Sequence, residues 1–323
     1  MKSLKIFLIV LLLLLLAFFA FWGGIIITGL NLGKRENSIN ISDKYSSELQ
    51  PSSDVSSENK IPEKTNAFPS SEQSLKDGEK EIPEGPYKDL FLRHFANFNG
   101  DFTYSLHIYS DDYRLSNESR PQKAASIIKL FIMEYAFSLI EKGEISKDDK
   151  INGRFLSSLI ESMITVSDNN STNVLINHFT MEKINAYIKE AGYSDTVLQR
   201  RMLDTQAASR GEENYTSVKD VMAFLDNLYE NKDSFPESEM LDIMKRQTIA
   251  TKLRRKMPSG ILMASKTGEL SDTETDCGIV FSEGGDYAIV CLTGGGNLAA
   301  ARDAMANICR EIYDTLQSEG ETQ

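Results

Sequence analysis

The 323-residue sequence is poor in the residues that most enzymes use for metal or acid-base chemistry, with three histidines, three cysteines and one tryptophan. His94, His107 and His178 lie in no H-E-x-x-H pattern, and there is no G-x-S-x-G elbow. A zinc-protease helix and an elbow-type Ser-His-Asp site therefore have no support. Cys277, Cys291 and Cys309 are odd in number and none has C-x-x-C spacing, so neither a disulfide framework nor a structural metal site is coded. Phosphate-loop and dinucleotide fingerprints are missing too. A net charge of −12, from 35 basic and 47 acidic residues, argues against a nucleic-acid partner. No cofactor and no metal are expected.

What the chain does have is unevenly spread. Residues 6–30 are 25 consecutive positions without a charge, mostly Leu, Ile, Phe and Val. About 20 apolar residues cross a bilayer as a helix, and Gly23 and Gly24 are tolerated in one. The run exceeds a signal-peptide core, and Ala17 and Ala20 are wrongly spaced for cleavage, so residues 1–35 read as an uncleaved membrane anchor. Lys2 and Lys5 face Lys34 and Arg35 across the run, leaving orientation open on charge alone. Residues 36–85 contain 11 serines, four of the eight prolines and a net charge of −6, a composition that cannot offset the entropy of ordering. They read as a disordered tether reaching on the order of 40 Å. The remaining residues, 86–323, carry −10 and must hold the folded domain.

Within that part, residues 102–110 are rich in aromatic and β-branched side chains and predict a strand, with a short return strand at 113–115. Apolar residues then recur at helical spacing over 126–142, ending at Gly143. Further helices are expected at 155–166, 171–179, 181–191, 217–230 and 237–256. Strands follow at 261–266, 277–281 and 287–292, and a helix at 299–316. The turn Glu283-Gly284-Gly285-Asp286 predicts a hairpin. Strands and helices that come in runs point to an α+β fold, an antiparallel sheet flanked by helices plus an all-helical lobe. Mirroring the hairpin about its glycines pairs position 277 with 292. This puts Cys277 and Cys291 on opposite faces, and buried free thiols are expected. The basic cluster from Lys252 to Lys256 reads as a solvated helix end, with an anionic partner as the alternative.

Three short motifs remain. Ser126-Ile127-Ile128-Lys129 opens a helix, and one turn brings the ammonium to the side of the hydroxyl. A lysine of lowered pKa can take the proton of a serine nucleophile, and a helix amino terminus offers N–H groups to an oxyanion. Ser167-Asp168-Asn169 stands between two helices: Ser167 could relay a proton and the Asn169 amide could hold a substrate carbonyl. Lys266-Thr267-Gly268 ends a strand: Lys266 would place a cation beside both serines, Thr267 would bind a carboxylate, and Gly268 would let a substrate backbone lie close. Singly these are an ordinary helix, an ordinary cap and an ordinary turn. Their order and placement are not ordinary.

The set S-x-x-K, S-D-N and K-T-G resembles the class A β-lactamase and penicillin-recognising serine hydrolase family, over roughly residues 88–318. Cys277 to Phe281, preceded by Asp276, also resembles the family's strand after K-T-G. The resemblance implies that Ser126 forms an acyl-enzyme with Lys129 as its base or as the partner of its base. It also implies that Ser167 and Lys266 handle the leaving-group proton, and that the N–H groups of Ser126 and Glu269 form the oxyanion hole. One departure stands out. The family's Glu-x-x-Leu-Asn loop, whose glutamate activates the deacylating water, matches Arg200-Arg201-Met202-Leu203-Asp204 here. Arg stands at the Glu position and Asp at the Asn position. The following Glu213-Asn214-Tyr215-Thr216-Ser217 resembles the family's lead into its next helix and supports that register.

The reading is a monomeric, membrane-tethered serine hydrolase outside the cytoplasm, in the bacterial cell envelope. It opens β-lactams, and slowly unless Asp204 or another acid replaces the missing glutamate. The alternatives are a D-Ala-D-Ala carboxypeptidase, penicillin-binding peptidase or esterase acting on cell-wall peptides, and a non-catalytic module that senses β-lactam or wall.

Overall fold

The stretch read as the first strand forms β1 (Asp101–Ile108), and its return forms β2 (Tyr113–Ser116). The computed structural model describes residues 86–320. The expected anchor and tether lie outside the described residues. Among the described residues, no helix is long and apolar enough to cross a membrane.

Three carboxy-terminal strands, β7 (Leu262–Leu270), β8 (Thr273–Phe281) and β9 (Tyr287–Gly294), join β1 and β2 in one antiparallel sheet of order β2-β1-β9-β8-β7. β7 and β8 are both longer than the apolar runs suggest. The polar residues Thr273, Glu274, Thr275 and Asp276 belong to β8 and are buried there, because a central strand covered on both faces buries all its side chains. Short ladders form between β3 (Gln122–Lys123) and β6 (Tyr215–Thr216), and between β4 (Lys150–Ile151) and β5 (Arg154–Phe155). The sequence pattern predicts none of these, since two-residue strands leave no periodicity.

One sheet face carries α1 (Pro86–Phe95) and α9 (Leu298–Gly320). α9 presents Ala301, Ala304, Met305, Ile308, Ile312 and Leu316, a stripe at helical spacing. α1 is not among the helices expected from the sequence. Yet Tyr87, Leu90, Phe91 and Phe95 keep the helical period, and Phe91 stacks on Tyr104 with ring centroids 3.9 Å apart.

The other face carries the helical lobe. At its centre is α2 (Ile128–Glu141), buried continuously from Ile128 to Phe137. Around it lie α3 (Leu156–Thr165), α4 (Asn169–Phe179), α5 (Met181–Glu190), α7 (Val218–Glu230) and α8 (Glu237–Lys245), with α6 (Thr205–Ser209) in a long loop. The helix expected over 237–256 ends at Lys245. The basic cluster forms a separate 3-10 turn, Leu253–Lys256, packed on α9. Lys252 is buried and pairs with buried Glu274 at 2.9 Å, Arg255 pairs with Asp303, and Lys256 donates to Asn307. Arg255 and Lys256 are thus solvated as expected, at the end of a 3-10 turn rather than of a helix, whereas Lys252 is drawn inside the fold.

The hairpin register runs two residues from the mirrored pairing: Cys277 faces Val290, and Cys291 faces Asp276. A shift of two preserves the faces. Cys277 lies in the lobe-side core and Cys291 in the core beneath α9, and all three cysteines are free and buried.

Candidate active site

Ser126 does not open the α-helix. It sits in a 3-10 turn, Ala125–Ile127, ahead of α2, and is half-buried. Ala125 is held at φ 47, a left-handed backbone that costs a non-glycine residue of order 1–3 kcal/mol. The turn presses against β7. A Cβ at Gly268 would stand 2.7 Å from the Ser126 backbone nitrogen and 2.4 Å from Thr275 Oγ1. Only glycine lets the edge strand come this near the serine.

Lys129, fully buried in the second position of α2, points toward the segment before α4. Its Nζ donates to the Ser167 carbonyl at 2.7 Å, the Ser167 hydroxyl at 3.0 Å and Asn169 Oδ1 at 2.8 Å. An ammonium has three donors, and all three are used. The direct serine–lysine pair expected from the spacing is therefore not made in this state. Asn169 likewise spends its oxygen on Lys129, leaving its NH2 for any other partner. Burial lowers the Lys129 pKa to about 8, against a smaller opposing effect of Asp168.

Ser167 is bent into the left-handed region at φ 56. Asp168 caps α4, accepting from the backbone N–H groups of Asn170 and Ser171, so the helix begins at Asn169, two residues earlier than expected. Lys266 Nζ reaches across from β7 and donates to the Ser167 hydroxyl at 2.9 Å and to the Thr267 carbonyl at 2.7 Å. Burial pushes the Lys266 pKa well down, and the neighbouring Lys129 charge pushes it further. With both oxygen lone pairs of Ser167 taken by lysines, its own hydrogen is free to donate outward. When either lysine is neutral, the hydroxyl can instead pass that proton to it. The Ser167 hydroxyl thus bridges the two amines.

Thr267 and Gly268 are buried, and the Glu269 side chain is exposed at the strand end. Thr267 pairs in register with Asp276, a buried carboxyl whose pKa is raised to about 7, chiefly by desolvation.

The remaining wall comes from the long loop over 198–214. Its ends meet where Val197 pairs with Tyr215, and amide side chains brace it. Asn214 Oδ1 accepts from the N–H groups of Gln199 and Arg200, Asn173 exchanges hydrogen bonds with Met202, and Asn185 does so with Leu198. Arg200 points to Glu213, with Nε–Oε1 at 2.8 Å and Nη2–Oε2 at 2.9 Å. Asp204 Oδ1 accepts from Ala207 N–H and caps α6. Leu203 is strained at φ 63 and 74% exposed on the rim. A cavity of about 200 Å³ lies between this loop, Ser126, Asn169 and Glu269.

Neither Glu213 as a cavity-lining acid nor Leu203 as an exposed rim follows from the sequence pattern, because both depend on the path of an irregular loop. A larger cavity, about 870 Å³, lies between β2 and α7 and holds none of the three motifs. Its His107 bonds Asp226 at 2.7 Å and Asp112 at 2.9 Å, a closed polar cluster. Among the described residues no cluster fit to hold a metal is found.

A family model for the β-lactamase enzyme family matches residues 88–316. The chain belongs to the β-lactamase enzyme family. It is a serine hydrolase of β-lactamase-like type. Similar solved structures share this α+β fold. A β-lactamase from Sphaerobacter thermophilus has a TM-score of 0.63 at 21% identity, covering 72% of this chain and 97% of that one. PBP-A has a TM-score of 0.63 at 20% identity, covering 73% and 99%. A point mutant of PBP-A, solved as an acyl-enzyme complex with penicillin G, has a TM-score of 0.63 at 20% identity, covering 72% and 96%. No curated protein matches the chain at a significant level. In the long loop of this β-lactamase-family member, Arg200 and Glu213 pair with one another.

Proposed function

We propose that this protein is a membrane-tethered serine hydrolase of the bacterial cell envelope that forms an acyl-enzyme on Ser126 and opens β-lactam amides, releasing the product slowly. The observation that carries the reading is the Ser167 hydroxyl shared by Lys129 and Lys266. In this scheme Lys129, once neutral, takes the Ser126 proton as the serine oxygen bonds to the carbonyl carbon. The oxyanion rests on the N–H groups of Ser126 and Glu269. The C–N bond breaks as Ser167 protonates the leaving nitrogen and is itself reprotonated from a lysine. Asn169, Thr267 and Gly268 orient the substrate, with Thr267 taking its carboxylate.

Deacylation is the weak half. Water attack on the ester needs a general base, most simply a carboxylate. Of the three acids lining the cavity, Glu213 is held in the Arg200 fork, Asp204 caps a helix, and Glu269 stands exposed at the strand end, 4.0 Å from Lys252. That arrangement favours, as a second reading, the same chemistry on D-Ala-D-Ala peptides of the wall, in the manner of a penicillin-binding peptidase. The PBP-A mutant captured as a penicillin acyl-enzyme supports that kinship. The tether supports action at the membrane surface, since the uncharged run at residues 6–30 precedes the Ser- and Pro-rich stretch.

The test is to incubate the full chain and its Ser126→Ala variant with a labelled penicillin and a chromogenic cephalosporin. Labelling of the wild type with slow turnover is expected. Fast turnover would overturn the slow-release half, and no labelling of the wild type would overturn acylation at Ser126. Hydrolysis of a D-Ala-D-Ala peptide then selects the second reading.

A further inference from the structure

β7 presents Thr267 and Glu269 on one face, because side chains two apart on a strand point the same way. Their register partners on β8 are Asp276 and Glu274. Three carboxyls therefore adjoin the hydroxyl that the proposed scheme gives to the substrate carboxylate. Asp276 in turn faces Cys291, in the core beneath α9, so the group lies on the α9 side of the sheet. Lys266 alternates to the other side, toward Ser167.

Two cations share that side with the three carboxyls. Lys252 Nζ lies 2.9 Å from Glu274 and 4.0 Å from Glu269, and Arg302 of α9 donates its Nε to Glu274 at 2.7 Å. Both are drawn to Glu274, which is fully buried together with Lys252. Glu269 is instead 60% exposed and lines the Ser126 cavity. Asp276 is 1% exposed; its Oδ2 accepts the Leu253 N–H at 3.0 Å, while its buried Oδ1 accepts from no described residue. With Asp276 protonated, two carboxylates stand against two cations, and with it ionised, three stand against two. Neither state leaves a net positive charge to hold an anion. An incoming carboxylate would gain the Thr267 hydroxyl but meet Glu269, and like charges so placed oppose binding. A neutral carboxamide escapes that repulsion, and its N–H can donate to a carboxylate.

We infer that the subsite beside Thr267 selects a neutral group that donates hydrogen bonds, such as a carboxamide, over a carboxylate, and that Glu269 is the residue that sets this preference. The inference rests on acylation of Ser126 and on the placing of Thr267 beside the leaving group. Thr267 still offers a carboxylate one hydrogen bond, but the charge around it works against the anion.

The experiment acylates the full chain with benzylpenicillin and with benzylpenicillin carboxamide, following the gain in intact mass. Each rate is divided by the rate at which hydroxide opens the same ring, which removes the difference in intrinsic reactivity. The normalised ratio of carboxylate to carboxamide is expected at or below about one in the wild type. In Glu269→Gln the ratio should rise about tenfold, because a close like charge is gone. In Glu269→Asp, which keeps the charge, it should stay at the wild-type value. Raising the salt from about 0.05 to about 0.5 M should speed the carboxylate and leave the carboxamide unmoved, since exposed charges are screened. A merely structural role of Glu269 would not move that salt response. A wild-type ratio of about ten or more, or a ratio that Glu269→Gln leaves unchanged, would overturn the charge selection while leaving acylation intact. No acylation by either compound would instead remove the acyl-serine reading itself.

Discussion

Lys129 and Lys266 donate to the same oxygen, the Ser167 hydroxyl, at 3.0 and 2.9 Å. They come from different parts of the chain, one from the central helix of the lobe and the other from the edge strand of the sheet. Two buried ammonium groups so placed repel one another, and the Lys129 charge weakens the hold of Lys266 on its proton. Burial holds the Lys129 pKa at about 8, and burial together with this repulsion holds that of Lys266 well below the usual lysine value.

The first prediction concerns pH. Lys129 holds its proton up to a pKa of about 8, and as an ammonium it has no lone pair for the Ser126 proton. The acylation rate of the full chain by penicillin should therefore rise with pH on a limb centred near 8. The apparent value belongs to the coupled lysine pair. Stopped-flow acylation from pH 6 to 10 checks this, and a rate that falls over that interval would contradict a lysine base.

Ser167→Ala removes the shared oxygen. Acylation should slow by about 10²-fold or more, because general acid catalysis of this kind contributes 10²–10⁴-fold. The two lysines then face one another without the hydroxyl between them. Measuring acylation beside circular dichroism separates lost chemistry from lost folding.

Gly268→Ala tests the close approach of β7 to the nucleophile. The added carbon would meet the Ser126 backbone nitrogen at 2.7 Å, so the turn must shift. A displacement near 1 Å at a reacting group costs about 10²-fold in rate. Penicillin labelling should slow by that order in a protein that still unfolds cooperatively.

Arg200→Glu should not restore fast deacylation. The new carboxylate would face Glu213, and breaking the buried pair costs about 3–5 kcal/mol. A lower melting temperature and little gain in cephalosporin turnover are expected. A large gain in turnover from this single change would show that the loop can present a base after all.

Glu134 is a buried carboxyl of α2 bonded to Tyr193 at 2.9 Å, its pKa raised to about 7 mainly by desolvation. The folded state binds the proton more tightly than the unfolded chain, so stability is full below about pH 4.5 and declines as pH rises through 7. Glu134→Gln keeps the shape without the charge. It should gain stability over the wild type at pH 9, on the order of 2 kcal/mol, and show no advantage at pH 5. Urea unfolding at the two values checks the sign.

Much of the fold is legible in the order of residues along the chain. The helical period marks α2 and α9, β-branched runs mark β1 and β9, and the turn at Gly284-Gly285 marks the hairpin. The elements that escape such reading do so for local reasons. α1 is short and adjoins a polar stretch, which masks its four buried aromatic and aliphatic residues. The buried polar half of β8 resembles a loop, because strand patterns are read from apolar residues. Lys252 resembles a solvated cation because nothing in its neighbours along the chain announces Glu274, its partner 22 positions on.

The motifs themselves are legible in the sequence alone: S-x-x-K at Ser126, S-D-N at Ser167, K-T-G at Lys266, and an arginine, Arg200, in the long loop. Chemistry of that kind depends on side-chain type and spacing along the chain, which a sequence states directly. Where the protons can go is decided only by tertiary structure. Lys129 serves Ser167 and Asn169 rather than Ser126, and Arg200 is locked to Glu213. Those facts depend on contacts between segments distant in sequence, and on the desolvation that closes around them. Neither exists until the chain has folded.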